Sequence, residues 1–191
     1  MGSSENDRTT WLLKYEAWLK FLARQEIDSR FAGKFDSSDA VQQTLVAAWQ
    51  GWPHFRGNSE AERMAWLRQI LAHQLANLAR HYAGTQMRSV CREESIEQSL
   101  SQSSNRLDRV MLANDRTPSS VAVENEQRLR LAKAIESMPD DYRQVILFRN
   151  FHELPYQEIA ARMQRSEGAV RMLWVRALTA LRDTLSSESS A

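Results

Sequence analysis

The side chains best suited to chemistry lie along a helix predicted over residues 59–82 and in the loop that precedes it. Outside its apolar stripe the helix carries an aromatic ring, carboxamides and cations, with no acid between residues 66 and 81: Trp66, Arg68, Gln69, His73, Asn77, Arg80 and His81. The preceding loop, over residues 54–58, displays Phe55, Arg56 and Asn58. Such rings, amides and cations suit an unpaired nucleic acid, whose bases can be stacked and hydrogen-bonded. For the loop, a surface turn with Phe55 tucked inward is an equally good interpretation.

Residues 154–182 are the second candidate site, because their spacing predicts two short helices joined by a tight turn. One face of each helix is apolar, with Tyr156, Ile159, Ala160 and Met163 in the first and Val170, Leu173, Trp174, Ala177, Leu178 and Leu181 in the second. Ser166, at the end of the turn over residues 164–166, can cap the second helix by accepting a bond from its free amides. The second helix of a helix-turn-helix can enter a DNA major groove. The same spacing also suits an ordinary helical hairpin of a bundle.

No pattern in the chain indicates an enzyme. The sequence lacks a phosphate-binding glycine loop, a cluster of metal ligands and a nucleophile–His–Asp arrangement. His73 and His81 are eight residues apart, too far for the usual same-face metal pair. The single cysteine, Cys91, excludes an internal disulfide and a thiolate-rich zinc site, which fits a reducing compartment. We therefore expect no catalytic residue, no metal and no cofactor.

The elements that must position these residues are predicted to be helices, so the expected fold class is all-α. The first helix runs from Thr9 or Thr10 to about residue 24, with Trp11, Tyr15, Trp18, Leu19 and Leu22 on its apolar face. The second begins after Asp36, a candidate N-cap, and stops before Pro53, which lacks the amide needed to continue it. Its outer face is polar but little charged and suits either water or another protein: Asp39, Gln42, Gln43, Val46 and Gln50.

Composition divides the chain into two small helical domains joined by a flexible linker. Residues 83–118 are rich in Ser, Gln and charged residues and end at Pro118, which predicts that linker. The expected domains are residues 1–82 and 119–185, followed by a polar tail over 186–191. The net charge is only +1, but residues 66–92 hold four arginines and no acid. This excess suits either a limited phosphate-binding patch or a solvated basic face. Without a long apolar run or a secretory leader, the expected location is cytoplasmic, without membrane insertion.

Residues 138–182, MPDDYRQVILFRNFHELPYQEIAARMQRSEGAVRMLWVRALTALR, resemble the fourth conserved region of bacterial RNA polymerase sigma factors of the extracytoplasmic-function group. Two upstream segments, DSSDAVQQTLVAAW and FRGNSEAERMAWLRQILAHQLANLARHY, resemble the second conserved region of the same group. The resemblance implies a non-enzymatic initiation factor of two helical domains that binds core RNA polymerase, directs it to promoter DNA and assists melting. A stand-alone regulator that binds duplex DNA as a dimer is the alternative, although no heptad pattern indicates a dimerisation helix.

The resemblance also assigns roles to individual residues. It places Asp36, Asp39, Gln42 and Gln43 where family members contact the clamp helices of the polymerase. It places Phe55, Arg56, Asn58, Trp66, His73, Asn77 and Arg80 at the melted minus-10 element. It places Arg171, Met172, Val175 and Arg176 on the helix face that reads the minus-35 element, where Met172 and Val175 could instead face a partner. Family members are often restrained by an anti-sigma factor, but no residue here identifies one.

The chain departs from the family pattern at a few of these positions. Pro155 stands where family members commonly have Ser or Thr, and proline cannot accept a capping bond through its side chain. His73 and Asn77 occupy positions often held by Asn and Asp, and Gln43 occupies one often held by Glu. These changes bear on the sequence preference at the minus-10 element and on the strength of the clamp contact.

Overall fold

The computed structural model describes residues 9–30, 36–83, 89–112 and 121–188. All regular structure in these ranges is helical, which confirms the all-α prediction. The chain divides into two compact units, Met1–Leu129 and Arg130–Ala191. Within the described ranges, no helix is both long enough and apolar enough to span a bilayer.

Unit 1 is built from helices α1, Glu16–Arg30; α2, Ser37–Gly51; α3, Glu60–Ala83; and α4, Ser89–Leu112. A helical segment over residues 9–13 precedes α1, so the single helix predicted there is broken by a turn at Lys14 and Tyr15. The predicted apolar stripe of this region does form core, because Tyr15, Trp18, Leu19 and Leu22 are fully buried. From α3 the core receives Met64, Leu67, Leu71 and Leu75.

Local signals set both ends of α2. Asp36 adopts an extended N-cap conformation, and its side chain accepts a hydrogen bond from the Ser38 amide over 2.9 Å. The helix ends at Gly51 and gives way to a 3-10 turn, Trp52–His54, that contains Pro53. The predicted cap and the predicted stop are both confirmed.

The structure does not confirm a flexible linker over residues 83–118. Ser89–Leu112 instead forms α4, which packs against α1 and α3. Among the side chains described in this helix, the buried ones are Ile96, Leu100, Ser103, Ser104 and Leu107. These positions share one side of a helix, and the three aliphatic side chains supply the burial that a disordered segment lacks. Residues 84–88 and 113–118 of the predicted linker and the Cys91 side chain lie outside the described residues.

Unit 2 contains α6, Asp140–Ile146; a wider helical turn, Leu147–Phe151; α7, Tyr156–Met163; and α8, Glu167–Glu188. The helix before them, α5, spans Val121–Glu136 and contributes residues to both units. The core of unit 2 is mainly aliphatic and includes Val145, Ile146, Phe151, Ile159, Val170, Ala177 and Leu181. Helix α8 continues to Glu188, into the segment that the sequence predicts to be a polar tail.

Candidate nucleic-acid and protein interfaces

The outer face of α2 brings the predicted acidic and amide residues together in unit 1. Asp36, Asp39, Gln42 and Gln43 are all exposed, and their spacing places them at the N-terminal end of one helix side. The backbone hydrogen bond from Ser38 lowers the pKa of Asp36, so this carboxylate stays ionised while it caps the helix. The face therefore offers two negative charges and two carboxamides to a partner.

Two large apolar side chains extend this face toward the C-terminus of α2. Val46 is 57% exposed and Trp49 is 43% exposed. Val46 follows Gln42 and Gln43 by one helical turn, and Trp49 follows Val46 by a further turn. Sequence reasoning placed Val46 on this face but did not single out Trp49, although the helical period contains the signal. An exposed tryptophan beside acids and amides is typical of a protein-binding surface, where aromatic residues are enriched.

The loop before α3 is ordered by aromatic stacking. The Phe55 ring lies 4.7 Å from the Trp66 ring at an interplanar angle of 28°, and 5.6 Å from the Trp52 ring at 30°. Phe55 and Trp66 are half-buried, whereas Arg56 and Asn58 are exposed. The packing favours the interpretation in which Phe55 turns inward. Its ring supports Trp66, and the exposed cation and amide are the groups that a nucleic acid can reach first.

Gly57 allows the loop to close over this stack. A Cβ atom at Gly57 would run into the Phe55 ring and lie 2.9 Å from Cβ of Glu62. After the loop, Ser59 and Glu62 cap the start of α3 reciprocally. The Ser59 amide donates to Glu62 Oε2 over 2.9 Å, and the Glu62 amide donates to Ser59 Oγ over 3.2 Å. The start of α3 therefore holds the loop in one conformation.

The predicted minus-10 residues of α3 lie on a single helix face. Trp66, His73, Asn77 and Arg80 follow one another at spacings of seven, four and three residues, and His73 and Arg80 are exposed. The Arg80 guanidinium donates to the Asn77 side-chain oxygen, which joins the cation and the amide at one end of the stripe.

One of the predicted nucleic-acid-binding cations of α3 is instead paired with a carboxylate of another helix. Arg68 pairs with Glu97 of α4, with Nε 3.5 Å from Oε1. Burial lowers the pKa of Arg68, and the nearby Glu97 carboxylate opposes that effect. The side chain of His81 lies outside the described residues. Within the part of the chain that is described, no three His, Cys, Asp or Glu side chains are grouped as metal ligands.

The turn between α7 and α8 in unit 2 has the geometry of a helix-turn-helix. Gln164 ends α7 in the left-handed region, at φ 53° and ψ 44°. Ser166 Oγ accepts a hydrogen bond from the Ala169 amide over 3.2 Å, which confirms the predicted cap. At the start of α7, Pro155 makes no side-chain cap, but its carbonyl accepts the amides of Glu158 and Ile159 at 3.0 and 3.1 Å. The proline is therefore compatible with the fold.

Helix α8 exposes all four residues that the sequence assigns to minus-35 recognition. Arg171 and Arg176 are exposed, Met172 is 54% exposed and Val175 is 49% exposed. On the opposite side, Val170 and Ala177 are fully buried. The core thus orients the helix so that two cations and two apolar side chains share its outer surface.

The two arginines on that surface have different surroundings. Arg171 Nη2 donates to Glu167 Oε1 over 2.5 Å, and its guanidinium carbon lies 4.8 Å from the centroid of the Tyr156 ring. The hydrogen bond to Glu167 raises the pKa of Arg171. Among the described residues, no carboxylate forms an ion pair with Arg176. Sequence reasoning missed this difference, although a Glu four residues before an Arg is a favourable helical pair.

Comparison with known proteins identifies the chain. Residues 128–181 match the family model described as Sigma-70, region 4. The ECF RNA polymerase sigma-E factors of Escherichia coli (strain K12) and Salmonella typhimurium (strain LT2) are each 31% identical over 153 residues, which is 80% of this chain and 75% of the relative. A chain in the solved flagellar sigma/anti-sigma complex Sigma-28/FlgM covers 96% of this chain, with 97% of its own length aligned, at 16% identity and a TM-score of 0.36. The chain belongs to the ECF group of RNA polymerase sigma factors and is a sigma initiation factor, not a stand-alone regulator of duplex DNA.

Proposed function

We propose that this sigma factor binds core RNA polymerase and promoter DNA through three surfaces defined by the residues above. The outer face of α2 binds the polymerase, the loop and outer face of α3 bind the melted minus-10 element, and the outer face of α8 reads the minus-35 element. Each surface combines side chains whose chemistry fits its target. The chain itself contributes binding and positioning, and the polymerase contributes catalysis.

The arrangement on α8 is the observation that carries the proposal. Duplex recognition needs a helix that presents donors for phosphates and base edges together with apolar groups for thymine methyls. Arg171, Met172, Val175 and Arg176 supply both kinds on one exposed surface. A plain helical hairpin does not need two aliphatic side chains that are about half exposed beside two arginines.

The minus-10 surface suits a single strand better than a duplex. Bases in a single strand offer free faces and Watson–Crick edges, which rings, amides and cations can bind. The Phe55 and Trp66 stack supports the surface, and the linked Asn77 and Arg80 pair provides an amide and a cation. His73 adds an exposed imidazole between them.

The polymerase surface on α2 has a charged end and an apolar end. Asp36 and Asp39 lie near the N-terminus, whereas Val46 and Trp49 lie near the C-terminus. A partner of complementary chemistry would present cations opposite the first pair and an apolar patch opposite the second. We assign Trp49 as an anchor of this contact, because buried aromatic side chains supply much of the binding energy at protein interfaces.

Separation of binding steps tests the proposal. Asp39→Ala combined with Gln42→Ala should weaken competition for core polymerase, and Trp49→Ala should weaken it further, while the folded variants keep their helix content. Arg171→Ala combined with Arg176→Ala should instead leave core binding intact and reduce recognition of the upstream promoter element. Normal competition by the α2 variants, or a large loss of core binding in the folded α8 variant, would show that the surfaces are wrongly assigned.

A further inference from the structure

The two arginines on the outer face of α8 differ in how firmly they are held. Arg171 is restrained twice, since Glu167 Oε1 accepts from its Nη2 at 2.5 Å and the Tyr156 ring lies beneath its guanidinium at 4.8 Å. Neither contact is strong alone at an exposed site, where ion pairs and cation–π contacts are each weak. Acting on one guanidinium, they favour a single orientation. Within the described part of the chain, Arg176 makes neither kind of contact.

The Tyr156 ring is itself fixed, so it can serve as a platform. The Arg149 guanidinium also lies 4.8 Å from its centroid, and Arg149 Nη1 donates to the Leu154 carbonyl over 3.0 Å. The Trp174 ring meets Tyr156 edge-on at 6.2 Å, and Trp174 Nε1 donates to Asn150 Oδ1 over 2.9 Å. Arg171 therefore rests on a ring that is held by two further side chains.

We propose that Glu167 and Tyr156 are positioning residues that make Arg171 a reader of a guanine edge, whereas Arg176 contacts phosphate. Two parallel hydrogen bonds to guanine O6 and N7 require a guanidinium in a defined orientation. Glu167 occupies one of the two Nη2 hydrogens. The other Nη2 hydrogen and the Nη1 hydrogens stay available for two parallel bonds. A phosphate contact needs charge but little orientation, which suits the unrestrained Arg176.

Glu167 should also limit binding to unrelated DNA. Its carboxylate offsets the charge of Arg171 and keeps that guanidinium away from phosphates. Glu167→Gln would release Arg171, so the variant should bind unrelated duplex DNA more tightly and discriminate bases less. This inference rests on the proposed minus-35 role of α8 and adds Glu167 as the residue that controls the orientation of Arg171.

The test uses holoenzyme assembled from full-length sigma variants and core polymerase. Each holoenzyme selects from promoter fragments randomised across the upstream element, and the bound fraction is sequenced. Arg171→Ala should reduce a guanine preference at one position by about 5- to 150-fold, the range for loss of a bidentate base contact. Glu167→Gln should reduce the preference at the same position by roughly 3- to 10-fold, since each restraint is individually weak. Glu167→Gln should also make binding to unrelated DNA more salt-dependent, by about the slope that one additional phosphate contact contributes.

A double variant separates positioning from direct reading by Glu167. In the Arg171→Ala background, Glu167→Gln should have no further effect on base preference, because its action passes through Arg171. Glu158→Gln is the matched control, since Glu158 forms the equivalent pair with Arg162 on α7, at 2.7 Å, and should leave base preference unchanged. The positioning role would be overturned if Glu167→Gln changed the base preference at a different promoter position. It would also be overturned if Glu167→Gln changed the preference in the Arg171→Ala background. No effect of Glu167→Gln beside a clear effect of Arg171→Ala would also overturn it, whereas no effect of Arg171→Ala would refute the minus-35 assignment itself.

Discussion

Leu100→Ala should destabilise unit 1, because Leu100 is fully buried on the inner face of α4. Removing a buried leucine side chain to Cβ costs about 2–5 kcal/mol, from lost transfer free energy and from the cavity left behind. Total stability of a domain is only about 5–15 kcal/mol, so the loss is a large fraction of it. With a urea m-value of about 2 kcal/mol per molar, the unfolding midpoint should fall by roughly 1–2.5 M.

Tryptophan fluorescence during urea unfolding measures this change. Five of the six tryptophans, all except Trp174, lie in unit 1, so the signal reports mainly on that unit. Gln98→Ala is the matched control, since Gln98 is an exposed residue of the same helix and its loss should change stability by less than about 0.5 kcal/mol. Equal midpoints for the two variants would mean that α4 does not contribute to the folded unit and that residues 89–112 behave as a linker.

Three further predictions concern the caps and the loop of unit 1. Gly57→Ala should lower the melting temperature because the new Cβ meets the Phe55 ring. Gly168→Ala is the control: nothing lies within 4 Å of the added atom, so the melting temperature should stay the same or rise. Equal effects of the two substitutions would refute the clash at Gly57. Asp36→Ala should cost about 1 kcal/mol through loss of the α2 cap, and Asp36→Asn should retain most of that stability; equal loss in urea unfolding would contradict the capping role. The pKa of Glu62 is lowered from 4.5 by hydrogen bonds from the Ser59 and Asn58 amides, so its stabilising effect is present above pH 4.5 and lost as the pH falls through the lowered value. In thermal melts over that acidic range, the melting temperature of a Glu62→Gln variant should therefore change less with pH than that of the wild type. Parallel plots of melting temperature against pH for the two proteins would contradict this role of Glu62.

The features that the sequence predicts well depend on residues that are close together along the chain. The Ser166 and Asp36 caps and the stop at Pro53 each follow from contacts within a few positions, so the local sequence contains the whole cause. The buried face of α8 follows in the same way from the helical period. The position of the four proposed minus-35 residues opposite that buried face is a consequence of the same period.

Helix α4 could not be predicted in this way because its apolar stripe is sparse. Leu100 and Leu107 are seven residues apart, and the buried side chains described between them are Ser103 and Ser104. Serine-rich composition with few aliphatic residues is also the signature of disorder. Only packing against α1 and α3 distinguishes the two states.

Tertiary contacts also decide which side chains remain available to a partner. Arg68 shares its helix with the proposed minus-10 residues, yet Glu97 pairs with it from α4. Phe55 lies in an exposed loop, yet its ring is covered by Trp52 and Trp66. Residue type and spacing identify such side chains as candidates, and the tertiary structure determines which of them can bind.

Transcription with purified components tests the central claim most directly. Core polymerase, the full-length chain and a library of genomic fragments from its source are combined, and transcript start sites are mapped with and without the chain. The sigma assignment predicts discrete start sites only when both proteins are present, with a shared upstream element whose requirement is lost with Arg171→Ala and Arg176→Ala. Start sites identical to those of core polymerase alone, or tight binding of the chain to a palindrome without polymerase, would contradict the assignment.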